Sequence, residues 1–118
     1  MIKQIGHSNG GDIAMLFTQK YPEQVKAAIT LDHRRFPIPR IKDLEILSIR
    51  ADEFTADKGV IPNLDELINY SIKIVTLQNV KHNDLTDMGS NELKEQINRE
   101  ILDFLLEINQ AKDKLNKD

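Results

Sequence analysis

The stretch IGHSNGG, at positions 5–11, sets one serine between two glycines a few residues after the start of the chain. Gly6 lies two positions before Ser8 and Gly10 two positions after it, and a third glycine follows directly. The residues in front form a short run of strand character, and the residues behind repeat apolar side chains at helical spacing. The stretch therefore predicts a strand over 1–5, a sharp turn at the serine and a helix over 12–21.

Three further apolar runs of strand length follow along the chain. They are KAAITL at 26–31, LEILSI at 44–49 and IKIVTL at 72–77, and polar loops or helical segments separate them. Runs that are apolar on both faces of the strand, joined by crossover segments, are typical of a parallel sheet. We therefore expect an α/β fold with about four mostly parallel strands.

Apolar side chains at helical spacing predict the helices. In the first helix Ile13, Leu16 and Phe17 recur on one side. A short middle helix is expected over 63–70, with Leu64, Leu67 and Ile68 facing inward. A long C-terminal helix is expected behind Ser90 as its N-cap, with one apolar stripe along it. The stripe comprises Leu93, Ile97, Ile101, Phe104, Leu105 and Ile108. We expect one domain over 1–108 and a polar tail over 109–118.

Composition limits the classes of function. Of the 118 residues 40% are hydrophobic, and 16 basic against 19 acidic residues give a net charge of -3. This balance, without a basic stripe, argues against nucleic acid as a partner. No cysteine is present, and no apolar run approaches the roughly 20 residues that span a bilayer. We expect a cytoplasmic protein that does not bind membranes.

No metal or cofactor is expected from the sequence. His7, His33 and His82 are scattered and do not fall at ligand spacing with acidic residues. The glycine-rich turn also lacks the Lys-Ser/Thr pair of a nucleotide phosphate loop.

Ser8 follows a strand, and ligands bind beyond the carboxyl ends of strands in an open α/β sheet. A nucleophile on a sharp strand-to-helix turn has strained dihedral angles, and its neighbours must be small, as Gly6 and Gly10 are. The main-chain N–H of Asn9 and the helix dipole would stabilise negative charge beside the hydroxyl. The pattern resembles the nucleophile elbow of the α/β-hydrolase family.

A serine becomes nucleophilic when a histidine accepts its proton and a carboxylate holds that histidine. The family supplies these groups in the chain order serine, acid, histidine. Here His82 follows the last strand, in the family's histidine position. Asp52 and Glu53 follow the third strand, where the family's acid usually stands, and are the expected acids. Asp57 lies slightly further along, and Asp32, after the second strand, matches a rarer family variant.

The resemblance implies a serine hydrolase that cleaves a small ester or related acyl substrate through an acyl-enzyme at Ser8. His7, His33 and Arg34 are candidate substrate contacts, and the alternative for the latter two is a solvated basic loop.

The resemblance covers the chain from Ile2 to the last helix and matches the C-terminal half of an α/β-hydrolase domain. The family's sheet has further strands before the elbow, and a loop among them supplies a second oxyanion donor. We therefore expect an unpaired edge from Ile2 to Ile5, which joins a second copy of the chain or a separate N-terminal half. A non-catalytic remnant or interaction module is the alternative function, and a fragment of a longer gene is a further explanation.

Overall fold

The computed structural model describes residues 2–86 and 89–117, and for residues 111–117 it describes the main chain. The described chain forms a four-stranded sheet in the spatial order β1-β2-β3-β4, and all three strand pairs are parallel. The strands are β1 (Ile2–His7), β2 (Val25–Leu31), β3 (Glu45–Ala51) and β4 (Ile72–Leu77). The expected α/β class with four parallel strands is confirmed, and all four carboxyl ends meet at one edge of the sheet.

Strand β1 is longer than the sequence indicated. It continues through Gly6 to His7, which pairs with Leu31 of β2, so the strand ends directly at Ser8. Met1, which belonged to the expected strand, lies outside the described residues.

Helix α1 (Asn9–Lys20) begins immediately after Ser8 and buries a face that differs from the expected one. Ile13 and Leu16 have 66% and 42% of their surface exposed. Gly11 is buried because the helix packs closely against the sheet at this residue. The side chains one and two turns later lie on the same face of the helix and are therefore buried as well. The buried residues of α1 are Gly11, Ala14, Met15 and Thr18.

Helix α2 (Leu64–Asn69) begins at a capping box in which Asn63 and Glu66 bond each other's main-chain N–H groups. Only Leu67 of the three expected core residues packs inward, whereas Leu64 and Ile68 are 79% and 81% exposed. A helix of this length presents little more than one side chain to the core. The expectation that all three face inward is therefore wrong.

Helix α3 (Asn91–Lys117) begins as the sequence indicated, since the main-chain N–H of Leu93 donates to the Ser90 hydroxyl at 3.1 Å. The whole predicted stripe from Leu93 to Ile108 packs against the sheet, with Ile97 and Phe104 buried. The helix also continues into the segment expected as a polar tail, whose last residue, Asp118, is not described. No helix within 2–86 and 89–117 has both the length and the apolar character that crossing a membrane requires.

Two apolar layers cover the sheet, one on each face. Side chains of β2 alternate between them, so that Ile29 packs toward α3 and Ala28 toward α1. Leu47 and Ile46 of β3 divide in the same way. Each fully buried aliphatic side chain stabilises the fold by about 1.5–3 kcal/mol, so the central strands hold the sheet together and fix the edge where their loops emerge.

Candidate functional site

Ser8 occupies a strained turn between β1 and α1. Its dihedral angles are φ 54° and ψ -117°, a region that residues with a side chain rarely adopt and that costs about 1–3 kcal/mol. Hydrogen bonds on both sides hold it there, because the Ser8 N–H donates to Leu31 at 2.9 Å and its carbonyl accepts from Asp12 at 3.0 Å. The turn therefore presents the serine hydroxyl at the carboxyl edge of the sheet.

The glycines around the serine have different roles. A Cβ on Gly6 would lie 2.3 Å from the carbonyl oxygen of Gly10, and one on Gly11 would lie 2.8 Å from the Cβ of His33. Nothing lies within 4 Å of a Cβ built on Gly10. The close approach therefore requires Gly6 and Gly11, and the steric need expected at Gly10 is absent from the described part of the chain.

His82 lies in a 3₁₀ helix (His82–Leu85) that follows β4, and its ring meets the carboxylate of Asp32. The His82 Nδ1 is 2.6 Å from Oδ2 of Asp32. Because a carboxylate oxygen accepts hydrogen bonds, this contact favours a proton on Nδ1, and in the neutral ring Nε2 is then the basic nitrogen. This is the tautomer that a general base acting on a serine requires.

The loop that carries His82 crosses the edge of the sheet. Strands β1 and β4 are the two outer strands, yet the rings of His7 and His82 are 4.8 Å apart, centroid to centroid. The Nε2 of His7 also donates to the carbonyl of His82 at 3.1 Å. His7, expected as a substrate contact, is therefore a support for the histidine loop, which it holds at the end of β1, one residue before Ser8 in the chain. Within residues 2–86 and 89–117 the Ser8 hydroxyl makes no hydrogen bond.

Asp32 is completely buried and has several partners besides His82. Its Oδ1 accepts from the main-chain N–H of Ala51 at 3.2 Å and lies 3.7 Å from Nη2 of Arg50. Its own N–H donates to Ile49, and its φ of 53° turns the chain out of β2 toward the site. A buried charge needs such partners, and here they also fix the direction of the carboxylate.

The two acids that the sequence favoured hold the main chain of the histidine loop, and in the described chain neither forms a hydrogen bond with the imidazole. Asp52 accepts from the N–H groups of Asn79 at 2.6 Å and Val80 at 3.0 Å, and Glu53 accepts from the N–H of His82 at 2.8 Å. The structure thus gives the ring a different carboxylate from the two expected ones. The reason is the path of the loop, which passes over β3 and brings its ring to the end of β2. Asp57, the other alternative, is exposed and bonds Arg34 through its main-chain N–H.

His33 is fully buried, so it cannot be the substrate contact that the sequence suggested. Its Nδ1 lies 2.8 Å from the Thr30 hydroxyl and 3.3 Å from Nη1 of Arg50. Burial, followed by the nearby Arg50 charge, lowers the pKa of His33 to about 4. The ring is therefore neutral at pH 7, and it forms part of the packing between α1 and the sheet.

Arg34 and Phe54 lie beside His82 at the rim. The guanidinium carbon of Arg34 is 4.7 Å from the centroid of the Phe54 ring, over its face. The Phe54 ring in turn contacts the His82 ring edge to face, with 6.4 Å between centroids. Of the candidate substrate contacts, Arg34 is partly exposed and has no hydrogen bond or ion pair from its guanidinium within the described chain.

An open groove of about 510 Å³ begins one residue after Ser8 and runs along α1. It starts at Asn9, the first residue of the helix, whose N–H is among those that have no acceptor within the helix. Among the described residues no group of three or more His, Cys, Asp or Glu side chains is placed to hold a metal ion. The groove is lined by Asn9, Asp12, Ile13, Leu16, Arg35 and Phe36.

No feature of the sequence indicated that Arg50 and Phe54 belong to the candidate site. Arg50 is the last polar residue of a buried strand, and Phe54 is a lone aromatic in a polar loop. The signal for Asp32 was stronger, because an acid directly after a buried strand lies at the edge where sites form.

A comparison with protein-family models, with curated proteins and with solved structures found no match to this chain.

Proposed function

We propose that the protein is a serine hydrolase of the α/β-hydrolase type that cleaves an ester or related acyl substrate. Ser8 is the nucleophile, His82 the general base and Asp32 the acid that orients it. The observation that carries the proposal is the 2.6 Å contact between His82 and Asp32 at the same sheet edge as a serine in a strained turn. Residues with strained dihedral angles cluster at active sites and other functional sites.

The reaction would run in two steps. The Ser8 oxygen attacks the acyl carbon while Nε2 of His82 takes the hydroxyl proton, and a carbon–oxygen bond forms. The bond to the leaving group then breaks, and His82 gives the proton to the departing oxygen. Water attacks the acyl-serine in the same way, which releases the acid and restores the Ser8 hydroxyl. Throughout, Asp32 stabilises the positive charge that develops on the imidazole.

The main-chain N–H of Asn9 is the proposed oxyanion donor. It lies in the first turn of α1, where the N–H groups are free and the helix dipole is positive. Loss of one of two such donors lowers turnover by roughly 10²–10³ in other serine hydrolases. We therefore expect turnover to depend strongly on this N–H group. The groove along α1 offers apolar surface for the acyl group.

A fluorophosphonate probe, which reacts with activated serines, tests this function. We expect the wild-type chain to be labelled and Ser8→Ala to remain unlabelled. Ser71→Ala is the matched control, because Ser71 is exposed and precedes β4 at the opposite edge of the sheet. Equal labelling of wild type and Ser8→Ala would refute the proposal.

The alternative is a non-catalytic protein that keeps the hydrolase scaffold as an interaction module. The observation in its favour is that the Ser8 hydroxyl has no hydrogen bond to His82 in the described chain. It predicts that the probe labels no serine and that Ser8→Ala and His82→Ala assemble as wild type does. Such contacts often shorten only when substrate binds, so labelling decides between the two functions.

A further inference from the structure

We propose that the substrate's leaving group carries a carboxylate, which Arg34 binds on the platform formed by Phe54 beside His82. The inference rests on the proposed hydrolase function and specifies its substrate class. The substrate would be an ester of an alcohol or phenol that bears a carboxylate.

The first argument is the arrangement of Arg34 over an aromatic ring. A guanidinium stacked on a ring keeps its N–H edges directed outward, in the planar fork that matches a carboxylate. The Phe54 ring contacts both this guanidinium and the His82 ring, so the cation and the proposed general base share a neighbour. Phe54 is also 48% exposed, which leaves an apolar surface beside the cation.

The second argument concerns which charged side chains around His82 already have a partner. Asp32 is occupied by the imidazole, the Ala51 N–H and Arg50, and the carboxylates of Asp52 and Glu53 accept main-chain N–H groups. Arg34, in contrast, forms no ion pair with any residue of the described chain. One guanidinium with an open fork matches the single charge and two oxygens of a carboxylate.

The third argument assigns the carboxylate to the leaving group. His82 must hand its proton to the departing oxygen, so the leaving group lies on the histidine side of the serine. Arg34 and Phe54 lie on that side, because Phe54 touches the imidazole. The acyl group would then bind in the groove that begins at Asn9.

The test compares para-acetoxybenzoate with its neutral amide, para-acetoxybenzamide, as substrates of the full chain. The measured quantity is the ratio of their kcat/KM values in wild type and variants, so that differences in intrinsic reactivity cancel. Arg34→Gln should lower this ratio roughly three- to tenfold, the range expected for a partly exposed charge pair. Phe54→Leu, which removes the platform and keeps an apolar side chain, should lower it in the same direction. Arg99→Gln removes the same charge from the exposed surface of α3 and should leave the ratio unchanged.

Fluorophosphonate labelling of Ser8 is measured on the same samples. If Ser8 is labelled in all variants and the ratio does not change in Arg34→Gln and Phe54→Leu, the carboxylate site is refuted and the hydrolase function stands. An equal decrease in Arg99→Gln would also refute it, because the effect would then come from net charge. If wild-type Ser8 is not labelled, the proposed function itself fails.

Discussion

Asp32 joins two parts of the molecule that are far apart in the sequence. One carboxylate oxygen contacts the His82 ring, and the other accepts from Ala51 and faces Arg50. The carboxylate after β2 therefore sets the orientation of the imidazole, whereas Asp52 and Glu53 after β3 set the path of the loop.

Asp32→Asn and Asp52→Asn separate the effect on the imidazole from the effect on the loop. Asp32→Asn presents an amide to the imidazole, which favours the wrong tautomer, so the rate of Ser8 labelling should fall on the order of 10⁴-fold. Asp52→Asn keeps one acceptor for the loop N–H groups, so labelling should fall by less than about tenfold. Labelling rates measured on both variants check this. A larger loss in Asp52→Asn would show that Asp32 is not the orienting acid.

His33 makes the stability of the fold depend on pH. Its pKa in the folded chain is lowered to about 4 by burial and by Arg50, against the weaker opposing effects of Asp12 and Asp32. An unfolded histidine titrates near 6.5, so between pH 6.5 and 4 the unfolded chain binds a proton that the folded chain does not. The free energy of unfolding should therefore fall as pH falls through this window.

The His33→Gln variant isolates that effect. Urea unfolding at several pH values should show a loss between pH 6.5 and 4 that is up to about 3 kcal/mol larger in wild type than in the variant. His7 and His82 are present in both proteins, so the difference belongs to residue 33. Parallel pH profiles would contradict a buried, neutral His33.

At the scale of elements, the strand–turn–helix unit of β1, Ser8 and α1 is specified by local rules. Gly6 must lack a side chain because the backbone of α1 passes directly over it, and this contact fixes the angle at which the helix leaves the strand. The amphipathic pattern was a less reliable guide to which face of a helix is buried. It placed α3 correctly because that helix is long, whereas α1 turned Ile13 and Leu16 to the surface.

Alanine at Gly6 and at Gly10 should have opposite effects. Gly6→Ala places a Cβ against the Gly10 carbonyl and should destabilise the fold by about 1–3 kcal/mol. Gly10→Ala adds a methyl group in open space within a helix and should stabilise it by up to about 1 kcal/mol. Thermal unfolding of both variants measures the difference. Equal destabilisation would mean that the close approach at Gly6 is not what the turn requires.

At the scale of the whole molecule, β1 lies at the edge of the described sheet and pairs only with β2. Ile2 and Ile5 on this strand are 44% and 58% exposed, and Ile13 and Leu16 of α1 add further exposed apolar surface. An unpaired parallel-sheet edge with apolar side chains favours pairing with another strand.

We expect two copies of the chain to join through their β1 edges. A two-fold axis makes one edge complementary to the same edge of a second copy, with the two strands antiparallel. Sedimentation velocity should show a dimer, and Ile5→Lys, which puts a charge on the edge, should shift it toward monomer. A wild-type monomer at all concentrations would contradict this pairing and favour a different polypeptide at the edge.

The sequence by itself determined the elements and the candidate nucleophile and base. The elements were predictable from local features of the sequence, which act on neighbouring residues. These features are the apolar runs separated by polar segments, the cap at Ser90 and the glycines around Ser8. The position of His82 after the last strand was equally visible, because parallel strands bring their carboxyl ends to one edge.

Only the tertiary structure decided which carboxylate meets the imidazole, which face of α1 is buried and that His33 lies in the core. Each depends on contacts between segments that strand order does not specify. The loop after β4 passes over β3 and reaches the end of β2. Asp32 therefore contacts the His82 ring, whereas the position of Asp52 after β3 had favoured Asp52. The physical reason is that periodicity reports burial within one element, whereas the path of a loop is set by hydrogen bonds between elements.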